Sequence, residues 1–326
     1  MSSPAAPIDV LVCVGVFAPH LDARLAKHFN VLRAANAAER DAHIEKHAAS
    51  IRAVARASTA IDRALIARLP KVEIISNYGV GYDMVDAKAA AERGIVVTNT
   101  PDVLTEEVAD TALGLLLMTV RRLSAAERYL RDGTWATGIE FPPSPGTLRN
   151  RVVGIVGLGR IGLAIARRIA ACDVKVAYHS RRPVADAPYP YFDSLIGLAR
   201  NVDTLIAILP ASKETDRVIN AEVIGALGPE GVVINIGRGN AVDESALIDA
   251  LSTRRILAAG LDVYWNEPHI DRRFLALDNV VLLPHVGSAS VATRTAMEAL
   301  VEDNLVSWFR TGRPVTPVVE TPWPRP

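Results

Sequence analysis

Cysteine is nearly absent from this sequence: Cys13 and Cys172 are the only two in 326 residues. Two thiols exclude a disulfide framework. Both stand in apolar stretches where a small buried hydrophobe is the expected role, so metal and redox functions are set aside. Net charge is lacking as well, since 36 basic and 36 acidic residues balance to zero with no long run of either sign. That removes the electrostatic footprint of a nucleic-acid binder. No long hydrophobic run occurs: the most apolar stretch, Ala112 to Val120, is too short to span a bilayer. The first residues show no basic region followed by a long apolar core. Internal repeats and low-complexity segments are missing too. A soluble cytoplasmic protein without a nucleic-acid or membrane partner is the expectation, and with 50% hydrophobic residues the chain can bury two cores.

Short β-rich runs alternate with helical patterns along the chain. Asp9 to Gly15 reads as a buried strand and Leu21 to Phe29 as a helix. Further strands are expected at Ile51 to Val54, Val72 to Ser76, Val152 to Val156, Val174 to Tyr178, Thr204 to Leu209, Val232 to Ile236, Ala258 to Leu261 and Val280 to Leu283. Such alternation predicts parallel sheets covered by helices. Between Thr105 and Leu123 the residues Val108, Ala112, Leu116 and Val120 fall at helical spacing, with acids at the start and arginines at the end. The Gly/Pro-rich stretch Gly133 to Gly146 reads as an irregular loop, and Val291 to Phe309 as a second long helix.

The most informative local pattern is the strand, turn and helix around Gly157-Leu158-Gly159-Arg160-Ile161-Gly162. In a Gly-x-Gly-x-x-Gly turn the first glycine permits the tight bend, and the second lets backbone approach a pyrophosphate. The third lets the helix pack on the strand, leaving the helix N-terminus to stabilise the phosphates. The next strand should end where an NAD-specific protein carries an acid for the ribose hydroxyls. Here it ends in His179, Ser180, Arg181 and Arg182. With no acid to repel a 2′-phosphate and two guanidiniums to pair with it, NADP is favoured, with NAD accepted at lower preference. The plainer reading of these arginines is solvated surface charge.

Three segments carry the remaining polar chemistry, each at the end of an expected strand: Asn235 to Gly239, Asp262 to Pro268, and Pro284 to Ser288. Strand C-termini border the ligand crevice of an open α/β sheet, so all three can converge beside a nicotinamide. Taken singly, Arg238 could pair with a surface acid, Glu267 could be a solvated turn residue and His285 a core histidine.

Together with Gly79-Val80-Gly81-Tyr82-Asp83 and Asn99 to Asp110, these motifs stand in an order that resembles the D-isomer-specific 2-hydroxyacid dehydrogenases, most closely the NADPH-dependent glyoxylate/hydroxypyruvate reductases. The resemblance implies that Arg238 clamps the substrate carboxylate and polarises its 2-oxo group. It makes His285 the proton donor and Glu267 the partner of the far imidazole nitrogen. It further implies that the amides of Val80 and Gly81 bind the carboxylate, with Ser288 close by. Leu158 to Ile161, Ser180 to Arg182, Leu209, Pro210, Ile236 and Gly237 would line the dinucleotide, and Asp262 would accept from the carboxamide, with a structural cap as its alternative. Trp135 would contribute to the substrate pocket, as in similar reductases, or serve as a packing anchor; Trp265 poses the same choice.

The resemblance also supplies the expected architecture. A flavodoxin-like α/β substrate domain would span residues 1–101, and a Rossmann-type doubly wound domain residues 102–285. Residues 286–326 would form a bridging helix and a return to the substrate domain, and the protein would be a homodimer. The expected reaction is reduction of glyoxylate to glycolate and of hydroxypyruvate to D-glycerate. Another 2-oxo acid, such as 2-ketogluconate, hydroxyphenylpyruvate or phenylpyruvate, is the alternative. A dinucleotide sensor without catalysis is the rival from a different class.

Overall fold

Strands in this chain are short runs of β-branched and small apolar residues, and nearly all of those in the sheet interiors are buried along their whole length. That is the pattern of parallel sheets covered on both faces. The computed structural model describes residues 7–13 and 18–324. It divides into two compact units, Met1–Leu104 with Ser290–Pro326, and Thr105–Ala289.

The first unit contains β1 (Asp9–Cys13), β2 (Asn30–Arg33), β3 (Ile51–Arg56), β4 (Ile74–Asn77) and β5 (Val96–Thr98). All pair in parallel, in the order β2-β1-β3-β4-β5, which is the flavodoxin-like arrangement. Leu11, Ile51, Val54, Ile75 and Val97 pack here against Ile44, Leu65 and Ile66 from the covering helices and Leu69 just beyond one of them. Val14 and Gly15, expected to extend β1, lie outside the described residues. The helix expected over Leu21 to Phe29 stops at Leu25 and continues as turns. The long helix Val291–Thr311 belongs to this unit; Ser290 caps its first turn and Gly312, at φ 69°, ends it.

The second unit contains β6 (Val152–Val156), β7 (Lys175–His179), β8 (Tyr191–Phe192), β9 (Thr204–Ala207), β10 (Val232–Asn235), β11 (Ala258–Leu261) and β12 (Val280–Leu282). They pair in parallel in the order β12-β11-β10-β9-β6-β7-β8. The winding reverses between β6 and β9, and a doubly wound sheet binds its ligand outside the strand C-termini at that switch point. The helix Thr105–Arg121 buries Val108, Ala112, Leu116 and Val120 against this sheet, as its spacing requires. It ends two residues before the expected Leu123, because Arg122 takes a left-handed conformation at φ 53°. A second helix, Leu123–Arg131, then begins, and none of its residues is buried. The Gly/Pro-rich stretch holds one short 3-10 turn, Thr134–Thr137, and is otherwise irregular.

One expectation is corrected. Cys13 is buried, and burial pushes its thiol up to about 11. Cys172, expected to be buried, is exposed: it sits in the turn between the helix Arg160–Ala170 and β7, where the apolar neighbours belong to the helix and strand but the turn faces solvent. Among the described residues no helix is long and apolar enough to cross a membrane.

Candidate active site

At the C-terminal end of β6 the chain bends at Gly157, whose φ is +100° and whose hypothetical Cβ would lie 2.7 Å from the Ile208 carbonyl oxygen. A Cβ on Gly162 would come within 2.1 Å of the Gly157 carbonyl oxygen, so only glycine lets the helix start this close to the strand. Gly159 differs: a Cβ there meets nothing within 4 Å. Protein packing therefore does not require this glycine, while close approach of an anion to the backbone would. The helix Arg160–Ala170 begins at Gly159 with no side chain capping its amides. Leu158 is buried below the turn and Ile161 half-buried, with Arg160 exposed. A first turn without a side-chain cap, a bare backbone and the helix dipole are the chemistry a pyrophosphate needs.

The chain leaves β7 through His179, whose Nδ1 lies 2.9 Å from the Phe192 carbonyl oxygen. Ser180 Oγ donates to the Arg182 carbonyl at 2.7 Å, spending its proton within the turn. Arg181 and Arg182 are exposed. Among the described residues neither guanidinium has an ion-pair or hydrogen-bond partner. Asp173 lies before β7 in a left-handed conformation, at the other end of the strand from Ser180. On the far side of the switch point, a Cβ on Gly237 would lie 2.7 Å from Leu209 N. Ile236 is buried, Leu209 half-buried and Pro210 exposed, so these residues border the same strand ends.

The three polar segments converge at the ends of β10, β11 and β12. Asn235, 1% exposed, closes a turn at the end of β10: its Nδ2 donates to the Arg238 carbonyl at 3.0 Å and its Oδ1 accepts from Gly237 N at 3.2 Å. Arg238 donates from Nη1 to the Gly237 carbonyl at 3.0 Å. At the end of β11, Asp262 is buried, accepting from Val286 N at 2.7 Å and Gly287 N at 2.8 Å. Burial raises its carboxyl above the ordinary range, against the opposing pull of those two amides. The structure thus gives Asp262 a capping task in the histidine loop, with a second lone pair left on each oxygen. His285 N in turn donates to the Asp262 carbonyl at 2.9 Å, and Thr111 Oγ1, on the helix Thr105–Arg121, donates to the Gly287 carbonyl at 3.2 Å. Ser288 follows Gly287 and is half-buried.

His285 stands at φ 56°, a left-handed conformation that costs a residue with a Cβ roughly 1–2 kcal/mol. Its Nδ1 lies 2.7 Å from Glu267 Oε2, while Tyr264 N donates to Glu267 Oε1 at 2.9 Å. Burial alone would raise the Glu267 carboxyl. The His285 bond and charge, the Tyr264 amide and the Arg238 charge together outweigh burial and hold it below the ordinary glutamate range. An ionised Glu267 on Nδ1 leaves Nε2 of His285 as the nitrogen free to carry and give up a proton. Tyr264 ties the loops further, donating from its buried hydroxyl to the Leu283 carbonyl at 2.9 Å and the Leu261 carbonyl at 3.1 Å.

In the first unit, Val80 and Gly81 lie in the loop after β4. Asn77 Nδ2 donates to the carbonyls of Gly79 and Gly81 at 3.0 Å each, and Asn99 Nδ2 to that of Val80 at 2.9 Å. Thr100 Oγ1 accepts from Gly79 N at 3.0 Å. The carbonyls are thereby tied on one side, and the Val80 and Gly81 amides have no partner among the described residues. Such a pair of free amides suits a carboxylate. Trp135 is 64% exposed in the 3-10 turn of the second unit. Trp265 is exposed as well, with the Arg217 guanidinium 4.6 Å from its ring centroid.

Several residues that shape this geometry carry no assigned role in the sequence reading: Asn77, Asn99 and Thr100 under the Val80 loop, and Asn235, Tyr264 and Glu244 under the polar cluster. Only Asn235 had a signal, its place at the end of a buried strand and just before an Ile-Gly-Arg turn, where asparagine closes turns. Asn77 closes its own loop, on Gly79 and Gly81, while Asn99, Thr100, Glu244 and the Tyr264 hydroxyl reach backbone groups 19 to 21 residues away, which spacing does not reveal.

Comparison with known proteins places residues 113–287 in the family described as D-isomer specific 2-hydroxyacid dehydrogenase, NAD binding domain. The chain is 46% identical over 301 residues to the glyoxylate/hydroxypyruvate reductase A HPR2 of Arabidopsis thaliana, covering 92% of this chain and 96% of that protein. It is 47% identical over 303 residues to the hydroxyphenylpyruvate reductase of Plectranthus scutellarioides, with the same coverage of 92% and 96%. Among solved structures it is similar to the NADPH-dependent glyoxylate/hydroxypyruvate reductase SmGhrB of Sinorhizobium meliloti, in complex with NADP and malonate. The TM-score is 0.92 at 49% identity, over 98% of this chain and 99% of that one.

Proposed function

As the chain belongs to the D-isomer specific 2-hydroxyacid dehydrogenases, and is thus an oxidoreductase of 2-oxo and 2-hydroxy acids, we propose that it reduces glyoxylate to glycolate and hydroxypyruvate to D-glycerate with NADPH. The observation that carries this reading is the 2.7 Å contact of His285 Nδ1 with Glu267, beside Arg238, at the strand ends next to a phosphate-binding turn. Arg238 holds the substrate carboxylate in a planar fork and draws charge from the 2-oxo group, with Ser288 beside it. Within the first unit, the free amides of Val80 and Gly81 are chemically suited to a carboxylate. When bound, the nicotinamide supplies the hydride to C2. His285 gives its Nε2 proton to the oxygen that becomes the hydroxyl, and Glu267 stabilises the imidazolium before that transfer. Asp262 holds the histidine loop, and its remaining lone pairs suit the carboxamide.

Likeness to proteins that act on glyoxylate and hydroxypyruvate supports the small polar acids. The similar identity to a hydroxyphenylpyruvate reductase supports a second reading, reduction of an aromatic 2-oxo acid. For the cofactor, two exposed and unpaired arginines after β7, with no acid between them and the strand, suit a 2′-phosphate. Steady-state reduction of both acids with each cofactor tests the reading. Replacing Arg181 and Arg182 together with Gln is expected to raise the KM for NADPH about 10- to 100-fold, the loss of one or two charge-assisted bonds. The KM for NADH should stay within about twofold of wild type. Equal changes for both cofactors would make these arginines surface charges.

A homodimer is part of the same reading. Leu123, Leu130, Trp135 and Ile139 are large exposed hydrophobics on the segment after the first long helix, and the helix Leu123–Arg131 buries none of its own residues. An apolar face of this kind suits a second copy. Light scattering is expected to give twice the 35.0 kDa chain mass, and a monomer would contradict it.

A further inference from the structure

The peptide joining Tyr264 to Trp265 is where the parts of the polar cluster meet. A Cβ on Gly239 would lie 1.8 Å from the Tyr264 carbonyl carbon and 2.4 Å from Trp265 N, so the backbone carrying Arg238 rests directly on this peptide. The Tyr264 amide donates to Glu267 Oε1 at 2.9 Å, and the next amide, that of Trp265, donates to Glu244 Oε1 at 2.8 Å. Successive N–H groups are thus each held by a carboxylate, one belonging to the proton-donor pair and the other not. The Arg217 guanidinium lies over the Trp265 ring at 4.6 Å and holds the same residue by its side chain.

Glu244 opens the helix Glu244–Ser252, which follows the short 3-10 turn Gly239–Ala241 after Arg238. It is half-buried, and among the described residues no arginine or lysine hydrogen-bonds it. Around it stand Asp243, which caps its own helix, Glu267, Asp271, Arg273 and Arg217. Arg273, the cation best placed to pair with it, is bound to Asp271 at 2.7 Å and donates to Ser245 Oγ at 3.1 Å. Burial keeps the Glu244 carboxyl above the ordinary range, against the Trp265 amide, and Asp271 and Glu267 add to the rise. A half-buried carboxylate is costly unless its hydrogen bond has a structural return. Here the bonded group is the peptide that spaces Arg238 from Glu267.

We infer that Glu244 is a positioning residue for the reduction: by holding the Trp265 amide it fixes the peptide on which Gly239 rests and from which Glu267 reaches His285. The inference rests on the proposed roles of Arg238, Glu267 and His285. Its physical content is geometric, since a displacement of about 1 Å in a reacting constellation costs on the order of 100-fold in rate.

The test compares Glu244→Ala with Glu244→Gln, measuring kcat, the KM for NADPH and the pH dependence of kcat/KM for hydroxypyruvate. Glutamine keeps an oxygen acceptor for Trp265 N, so kcat should stay within about threefold of wild type and the acid limb should stay in place or move slightly lower. Alanine removes the acceptor, and kcat should fall about 10- to 100-fold with the KM for NADPH within about twofold. The slackened turn also loosens the bonds that hold Glu267 low, so its acid limb should move to higher pH. A purely structural role would lower the thermal midpoint and leave the limb where it was. The inference is overturned if the alanine variant keeps wild-type kcat and pH profile, if its limb does not move, or if glutamine fares as badly as alanine. Glu267→Gln is the control for the underlying reading: it should abolish the acid limb. Wild-type rate and profile in that variant would refute the site assignment itself, whatever Glu244 does.

Discussion

His285→Ala is expected to lower kcat for 2-oxo acid reduction by about 100- to 10,000-fold, the range contributed by a positioned general acid, with the Kd for NADPH unchanged. The split follows from position. His285 is held in its left-handed conformation by its own amide on the Asp262 carbonyl, at 2.9 Å, and its ring by Glu267 at 2.7 Å. Removing the ring leaves the glycine turn at Gly157 to Gly162 as it was, so dinucleotide binding should not change. The pH dependence should change with the rate. Glu267 has a depressed carboxyl in the folded protein, so the stability and charge it supplies are complete above the ordinary glutamate range and are lost only as pH falls through its lower value. Wild-type kcat/KM should accordingly fall on the acid side only below the ordinary glutamate range, and the residual activity of His285→Ala should lack this limb. Wild-type turnover in the variant would remove the proton-donor role.

Arg238→Ala is expected to cost about 2–4 kcal/mol in kcat/KM, roughly 30- to 1,000-fold, because the variant leaves a substrate carboxylate without its bidentate partner. The loss should fall on both KM and kcat, since one guanidinium binds the carboxylate and polarises the neighbouring carbonyl. Glu267 also loses a nearby positive charge that helps to hold it low. Arg238→Lys should recover little, because a point charge cannot reproduce the planar fork. The turn itself should persist, as the Asn235 side chain donates to the Arg238 carbonyl at 3.0 Å and accepts from Gly237 N at 3.2 Å. Full rescue by lysine would mean that charge alone suffices at this position.

Much of this arrangement was legible because it is local in sequence. A β-branched run, three spaced glycines and an apolar helix read as strand, turn and helix around Gly157, and the structure puts each element there. The ends of β10, β11 and β12 were legible for the same reason, and they bring Arg238, Glu267 and His285 into one cluster. Elements whose identity depends on partners were not legible. β2 and β8 are edge strands of four and two residues, without the continuous burial that marks a central strand. β5, with three residues, is likewise short enough to escape a periodicity argument. Arg122 breaks a helical pattern that its side chain favours, and Cys172 lies in an apolar sequence yet in a turn that faces solvent. Glu244, Tyr264 and Asn99 act on amides or carbonyls of other segments, and neither residue type nor spacing announces such a bond before the fold closes around it.

The most direct test of the account is the initial rate of NADPH and NADH oxidation by the wild-type protein at neutral pH. The substrates are glyoxylate, hydroxypyruvate, pyruvate, phenylpyruvate, hydroxyphenylpyruvate and 2-ketogluconate, each supplied in turn. The account predicts rapid NADPH-dependent turnover of glyoxylate and hydroxypyruvate, with NADH slower. Turnover confined to the aromatic acids or the sugar acid, or tight NADPH binding with no turnover of any acid, would contradict it.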